Sequence, residues 1–201
     1  MSTIVSEKYK CAMCGSTNEY NELASTNTFG SPDLDLRPAE MKRSTMPLWV
    51  QECPECGYVS KKVSDPSHVT REWLESERYQ TCDGLDFASD LAERFYRDYL
   101  IKLQGRDVEE AFFAVLYTVW ACDDARDDTN ATICRKLAVF LASKLLEGKC
   151  DNAEDILMIR ADLMRRAGQF EELLETYSSV RFKKKHLKQI MKCYYSQLCC
   201  S

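Results

Sequence analysis

The chain has 201 residues, of which 45% are hydrophobic and 29% are charged, and its formal net charge is −5. This composition is typical of a globular protein with one or two domains, and no apolar run is long enough to form a membrane span. Residues 66–180 carry 23 acidic and 14 basic side chains, so this region is unsuited to broad contact with nucleic-acid phosphates.

The cellular compartment is indicated by the N-terminus and the cysteines together. The first ten residues lack the apolar core of a signal peptide. The chain contains 11 cysteines, and without a signal peptide we expect them in the reducing cytosol rather than in disulfides. We therefore predict a cytoplasmic protein in which cysteines that bind no metal are small buried hydrophobic residues.

The sequence pattern Cys-x-x-Cys-Gly occurs twice, at residues 11–15 and 53–57, and we call each copy a knuckle. Two residues between the cysteines let both sulfurs reach one metal ion, and the glycine allows a backbone turn with positive φ. Four thiolates form the tetrahedral set that structural zinc prefers. We predict a Zn²⁺ site with these ligands: Cys11, Cys14, Cys53 and Cys56.

Iron is the alternative metal, because rubredoxin also binds its iron with paired Cys-x-x-Cys-Gly knuckles. The 38 residues between Cys14 and Cys53 do not exclude it. The region around the knuckles lacks rubredoxin's dense aromatic core, which favours zinc. A four-cysteine site has no open coordination position, so we expect a structural rather than a catalytic ion.

Residues 1–65, the N-terminal module, show weak hydrophobic periodicity, which is typical of a small β module organised by a metal. We predict short strands at residues 9–10 and 48–51, before the knuckles, and at 58–63, after the second one. This is the arrangement of a zinc ribbon, although the loop between its knuckles is unusually long.

The inter-knuckle loop, residues 25–49, is long enough to suggest either a function or packing on the rest of the protein. Asp33, Asp35 and Arg37 alternate with Leu34 and Leu36. In an extended chain the three charged residues would lie on one face, where they would bind a small polar ligand or a peptide. The alternative is a loop that packs on the helices through its leucines.

Residues 66–201 are predicted to form a helical domain. The turn at Asp65-Pro66 suits a helix start, and the apolar residues beyond it follow a helical period. We predict helices over residues 66–80, 86–104, 107–122, 129–147, 152–167 and 170–180. Residues 181–201 carry six basic and no acidic side chains, which we interpret as a solvated or inward-folded amphipathic tail.

A tetratricopeptide-like spacing surrounds Gly168. A small residue precedes it by seven positions, and large apolar residues follow it at set intervals: Ala161, Phe170, Leu173, Tyr177 and Val180. The fold class is therefore α+β but mostly α, with a small zinc-ribbon module followed by antiparallel, tetratricopeptide-like hairpins. A generic helical hairpin is the alternative.

Five stretches of the chain together resemble a bacterial family of uncharacterised cytosolic proteins with an N-terminal Cys-x-x-Cys-Gly ribbon and tetratricopeptide-like helices. They are residues 11–14, 33–38, 49–58, 119–124 and 160–170. The resemblance implies this architecture and the four cysteines as metal ligands. It implies no particular activity.

These features predict a non-enzymatic, zinc-stabilised module that binds a protein partner. The first alternative is a zinc ribbon that binds nucleic acid, which the acidic helical region disfavours. The second is a rubredoxin-like iron electron carrier. An enzyme that uses the inter-knuckle loop is a further alternative, supported only by the loop's length and its charged residues.

Overall fold

A computed structural model describes residues 1–148 and 151–177 and shows a mixed, mostly helical fold. Its strands form two separate antiparallel hairpins within the described residues. The strands are β1 (Thr3–Lys10), β2 (Thr17–Ser25), β3 (Gln51–Glu52) and β4 (Val59–Ser60). Each hairpin has a knuckle between its two strands.

Helices follow the strands. They are α1 (Arg71–Leu74), α2 (Glu77–Gln80), α3 (Asp90–Gln104), α4 (Val108–Ala125), α5 (Asp128–Glu147), α6 (Ala153–Arg166) and α7 (Phe170–Tyr177). Short 3-10 helices lie at Arg43–Leu48 and Cys82–Gly84. From α3 to α7 each helix packs on the next. Because the connections are short, neighbouring helices run antiparallel.

Three of the long helices, α3, α4 and α5, begin at a capping side chain. Ser89 accepts hydrogen bonds from the first turn of α3, and Asp107 accepts one from the backbone N–H of Glu110 at 3.0 Å. Asp127 caps α5 in the same way through Asn130 N, at 3.1 Å. Each cap satisfies an N–H group that has no partner inside its helix.

The predicted helix over residues 66–80 is wrong. Asp65 and Pro66 do not start a helix, and the segment instead forms the short helices α1 and α2. The reason is local, because Thr70 and Ser76 each accept a hydrogen bond from the backbone N–H three residues later. Two such caps six residues apart make two separate turns. The helix predicted from residue 86 likewise begins only after the cap at Ser89.

The strand predictions were incomplete. Residues 9–10 are the end of the eight-residue strand β1. The strand predicted at 48–51 begins only at Gln51, because the 3-10 helix extends to Leu48. The predicted strand at 58–63 is reduced to Val59–Ser60. Strand β1 is exposed on both faces, so its sequence lacks the alternation of apolar and polar residues by which half-buried strands are recognised.

The hydrophobic core is continuous from the second hairpin into the helices. Val50 and Val59 belong to the same buried cluster as Phe95, Leu100 and Val119. Among the described residues, no helix combines the length and apolar character needed to span a membrane. The predicted end of the last helix and the basic tail lie outside the described residues.

Candidate metal centre

The two knuckles have the same backbone geometry. The glycine after each cysteine pair has a positive φ, +78° at Gly15 and +67° at Gly57. Each glycine N–H donates to the carbonyl of the first cysteine of its knuckle, at 2.9 Å in both cases. Cys11 N donates to Ser16 O at 2.8 Å, and Cys53 N donates to Tyr58 O at 2.9 Å. The predicted glycine turns are therefore present in both hairpins.

The turns bring the four cysteines together. Their sulfur atoms all lie within 4.8 Å of one another. The Cys11 and Cys56 sulfurs are 3.7 Å apart, and the Cys14 and Cys53 sulfurs are 3.6 Å apart. A tetrahedral ion with metal–sulfur bonds of about 2.3 Å requires sulfurs about 3.8 Å apart. The cluster therefore fits a metal ion held by four thiolates.

The surroundings of the sulfurs favour deprotonation of Cys14 and oppose it at Cys11 and Cys56. The Ser16 hydroxyl lies 3.1 Å from the Cys14 sulfur, and this hydrogen bond lowers the pKa of Cys14 to about 6. Burial raises the pKa of the Cys11 and Cys56 thiols. Met13 N donates a hydrogen bond to the Cys11 sulfur at 3.4 Å. When an ion is bound, its charge keeps all four sulfurs as thiolates.

The helices hold the second knuckle through two side chains that no sequence motif identified. The Tyr79 hydroxyl, from α2, donates to the carbonyl of Gly57 at 2.6 Å. Arg97, from α3, donates to Glu52 at 3.1 Å and lies over the Tyr79 ring, with 5.7 Å between its Cζ and the ring centroid. The cysteine cluster is thus bonded to the helical part of the protein.

The first knuckle and its strands are hydrogen-bonded to the chain segment that follows the second hairpin. Ala12 N donates to Val63 O at 2.8 Å. Lys62 donates to the Tyr9 hydroxyl and to Glu22, at 3.2 Å in both cases. These bonds join the first hairpin to the chain segment that follows β4.

The inter-knuckle loop does not present its three charged residues on one face. The segment turns back on itself, with Asp33 N donating to Arg37 O at 2.9 Å and Leu36 at a φ of +64°. Asp33 is exposed and pairs with Arg43 at 2.6 Å. Asp35 and Arg37 are buried. The expectation of an extended chain was wrong, and Leu34 and Leu36 pack against the core.

Asp35 and Arg37 make contacts with the helices. Asp35 accepts a hydrogen bond from Trp120 Nε1 at 2.7 Å and another from Arg166 Nη1 at 3.4 Å. Burial raises the pKa of the Asp35 carboxyl. Arg37 pairs with Asp124 and lies over the Trp120 ring, 5.9 Å from its centroid. The loop is therefore anchored to α4 and α6 by charged groups.

Comparisons with protein-family models, with curated proteins and with solved structures gave no match. The resemblance to a bacterial ribbon-and-helix family therefore stays a prediction. What the geometry establishes by itself is a cluster of four cysteines suited to a metal ion beside a mostly helical region.

Proposed function

We propose that the protein is a non-enzymatic protein-interaction module stabilised by a zinc ion. The four-cysteine cluster is the observation that carries this proposal. Four thiolates complete a tetrahedral coordination shell and leave no position for a substrate or an activated water. Such an ion contributes its binding free energy to folding rather than to a reaction.

The contacts of the knuckles support a structural role for the ion. Tyr79 and Arg97 connect the second knuckle to α2 and α3. Asp35 and Arg37, in the loop between the knuckles, connect to α4 and α6. An ion bound by both knuckles fixes both ends of this loop. It thereby also fixes the surface that the loop forms together with the helices.

The proposed interaction surface is the helical region. Around Gly168, which has a φ of +73°, Ala161, Leu173 and Tyr177 are buried, as a tetratricopeptide-like pair requires. Arrays of such pairs bind extended segments of other proteins. The proposed binding of a protein partner rests on the tetratricopeptide-like spacing around Gly168 together with the burial of these three side chains.

A rubredoxin-like electron carrier is the second candidate. Iron would fit the same four sulfurs, and Cys14 and Cys56 are only partly buried, which leaves a short path for electrons to the surface. Binding of nucleic acid is the third candidate and is the least favoured, because residues 66–180 are strongly acidic.

The first experiment is to measure the metal content and absorption spectrum of protein purified without added metal. One zinc per chain and no visible absorption would support the proposal. Iron with charge-transfer bands in the visible range would overturn it in favour of electron transfer. Genetically encoded crosslinkers on the exposed faces of α3–α7 would then test for a partner, since the proposal requires captured protein that is lost when zinc is chelated.

A further inference from the structure

A cleft of about 720 Å³ lies between the N-terminal module and the helices. One wall comes from β2 and the inter-knuckle loop, and the other from α3, α4 and α6. The volume is within the range of about 300–1,000 Å³ that is typical of sites for small molecules. The cleft is separate from the cysteine cluster, whose residues do not line it.

Aromatic rings form much of the cleft surface. They are Trp49, Phe95, Phe113, Tyr117 and Trp120. Tyr117 is at the centre of this set, since its ring centroid lies 5.3 Å from those of both tryptophans and 5.5 Å from that of Phe95. Both indole N–H groups are already used, because Trp49 donates to Thr45 and Trp120 donates to Asp35.

A buried carboxyl group lies beside these rings. Asp98, from α3, lines the cleft, and its side chain is only 13% exposed. Its Oδ1 atom is buried and has no hydrogen-bond partner within the described part of the chain. Lys102 Nζ lies 4.0 Å from this atom, beyond hydrogen-bonding distance. A buried carboxyl oxygen without a hydrogen bond is unfavourable unless a ligand supplies a donor.

Asp35 is the other buried acid of the cleft, and it is already bonded to Trp120 and Arg166. Most of the remaining charged groups are closer to solvent. Glu110 is exposed and lies near enough to Asp98 to raise its pKa. Lys42 and Lys61 are exposed, and Lys62 is paired with Glu22 at 3.1 Å. Solvent and salt screen exposed charges more strongly than buried ones. The buried Asp98 therefore decides which charge the interior of the cleft favours.

We propose that this cleft binds a small organic cation, an ammonium or guanidinium group attached to an apolar body. The cation would donate hydrogen bonds to Asp98 and would be attracted by Glu110. The apolar body would contact the rings of Trp49 and Tyr117. The faces of these rings also attract the positive charge of the cation. This inference goes beyond the proposed interaction with a protein, and it holds whichever metal the cysteines bind.

Three probes of similar shape and different charge test the proposal: 2-phenylethylamine, 2-phenylethanol and 3-phenylpropionate. Binding to the full-length, metal-loaded protein is followed by tryptophan fluorescence and by calorimetry. We expect the amine to bind at least tenfold more tightly than the alcohol, and the carboxylate to bind most weakly. Equal affinities for the three probes, or no binding of the amine, would overturn the proposal.

Two variants locate the binding site. Asp98→Asn keeps the shape of the side chain but removes its charge, and we expect it to weaken amine binding at least tenfold while alcohol binding changes little. Glu110→Gln should weaken amine binding by a few-fold. Glu109→Gln is the matched control, because Glu109 is exposed, lies next to Glu110 and does not line the cleft. Unchanged amine affinity in both Asp98→Asn and Glu110→Gln would refute the assignment.

Discussion

The hydroxyl of Tyr79 donates a 2.6 Å hydrogen bond to the carbonyl of Gly57, so helix α2 is bonded directly to the turn that follows the second cysteine pair. This bond is buried on the tyrosine side, since Tyr79 is fully inaccessible to solvent. It couples a short helix that has little stability of its own to the metal cluster.

Tyr79→Phe should lower the free energy of unfolding by about 1–2 kcal/mol, because the carbonyl of Gly57 loses its donor. Urea denaturation of the metal-loaded protein measures the change. Tyr99→Phe is the control, since the Tyr99 side chain is also buried and makes no hydrogen bond among the described residues. Equal losses in the two variants would show that the hydroxyl bond itself contributes nothing.

Cys53→Ser should abolish stoichiometric metal binding, because the serine hydroxyl is a poor substitute for a thiolate. The protein should then unfold at a much lower temperature, since the ion's contribution to folding is lost. Metal content and calorimetric unfolding measure both effects. Cys82→Ala is the matched control, because Cys82 is buried and lies outside the cluster. The metal content of this variant should be unchanged. A metal-loaded Cys53→Ser protein would contradict the assigned ligand set.

Substitution of the two aspartates of the inter-knuckle loop should lower the free energy of unfolding by different amounts. Asp35→Ala leaves Trp120 Nε1 without its acceptor and removes one of the two carboxylates that pair with Arg166, and we expect it to lower the free energy of unfolding by about 2–4 kcal/mol. Asp33→Ala removes only an exposed pair with Arg43 and should lower it by less than about 1 kcal/mol. Chemical denaturation of both variants makes the comparison. Similar losses would mean that the buried contacts do not anchor the loop.

Asp98 should make the protein less stable as the pH rises. Burial raises the pKa of its carboxyl from 3.8 to about 7, with Glu110 adding to the shift and Lys102 opposing it. Between these two values the folded protein holds a proton that the unfolded chain releases, so the free energy of unfolding falls as the pH rises from about 4 to 7. Tyr58, Tyr79 and Tyr117 also face this group.

Asp98→Asn should therefore stabilise the protein at pH 8, by roughly 4 kcal/mol, and should have little effect at pH 4. Denaturation curves across this range measure the difference. Glu109→Gln changes the formal charge equally at an exposed position and should not reproduce the pH dependence. A stabilisation that is the same at pH 4 and pH 8 would exclude titration of Asp98 as its cause.

The cysteine cluster and the long helices were predictable because their signals are local. A glycine after each Cys-x-x-Cys pair specifies the turn, and capping residues such as Asp107 mark where a helix begins. Four cysteines in two closely spaced pairs have few possible arrangements other than a single cluster of four sulfurs. These predictions needed no knowledge of which segments meet in space.

The features that could not be predicted from the sequence depend on contacts between distant segments. Nothing in the sequence around Asp35 indicates that its carboxyl meets Trp120, and no pattern pairs Tyr79 with Gly57. Asp98 is one of three acidic residues in the amphipathic helix α3, and nothing in the sequence marks it as the one that lines a cleft. The Ser16 hydroxyl contacts Cys14 of its own knuckle and, once the knuckles meet, the Cys53 sulfur of the other knuckle, and no sequence motif includes it.

The bond between Asp35 and Arg166 spans 131 residues of sequence, and this has a consequence during synthesis. At about 5–20 residues per second, a ribosome needs on the order of ten seconds to make Arg166 after Asp35. The nascent chain therefore carries its loop aspartate through that interval without the helix that anchors it. We expect the inter-knuckle loop of ribosome-bound chains to be most sensitive to proteases at this stage, and resistant once α6 has emerged.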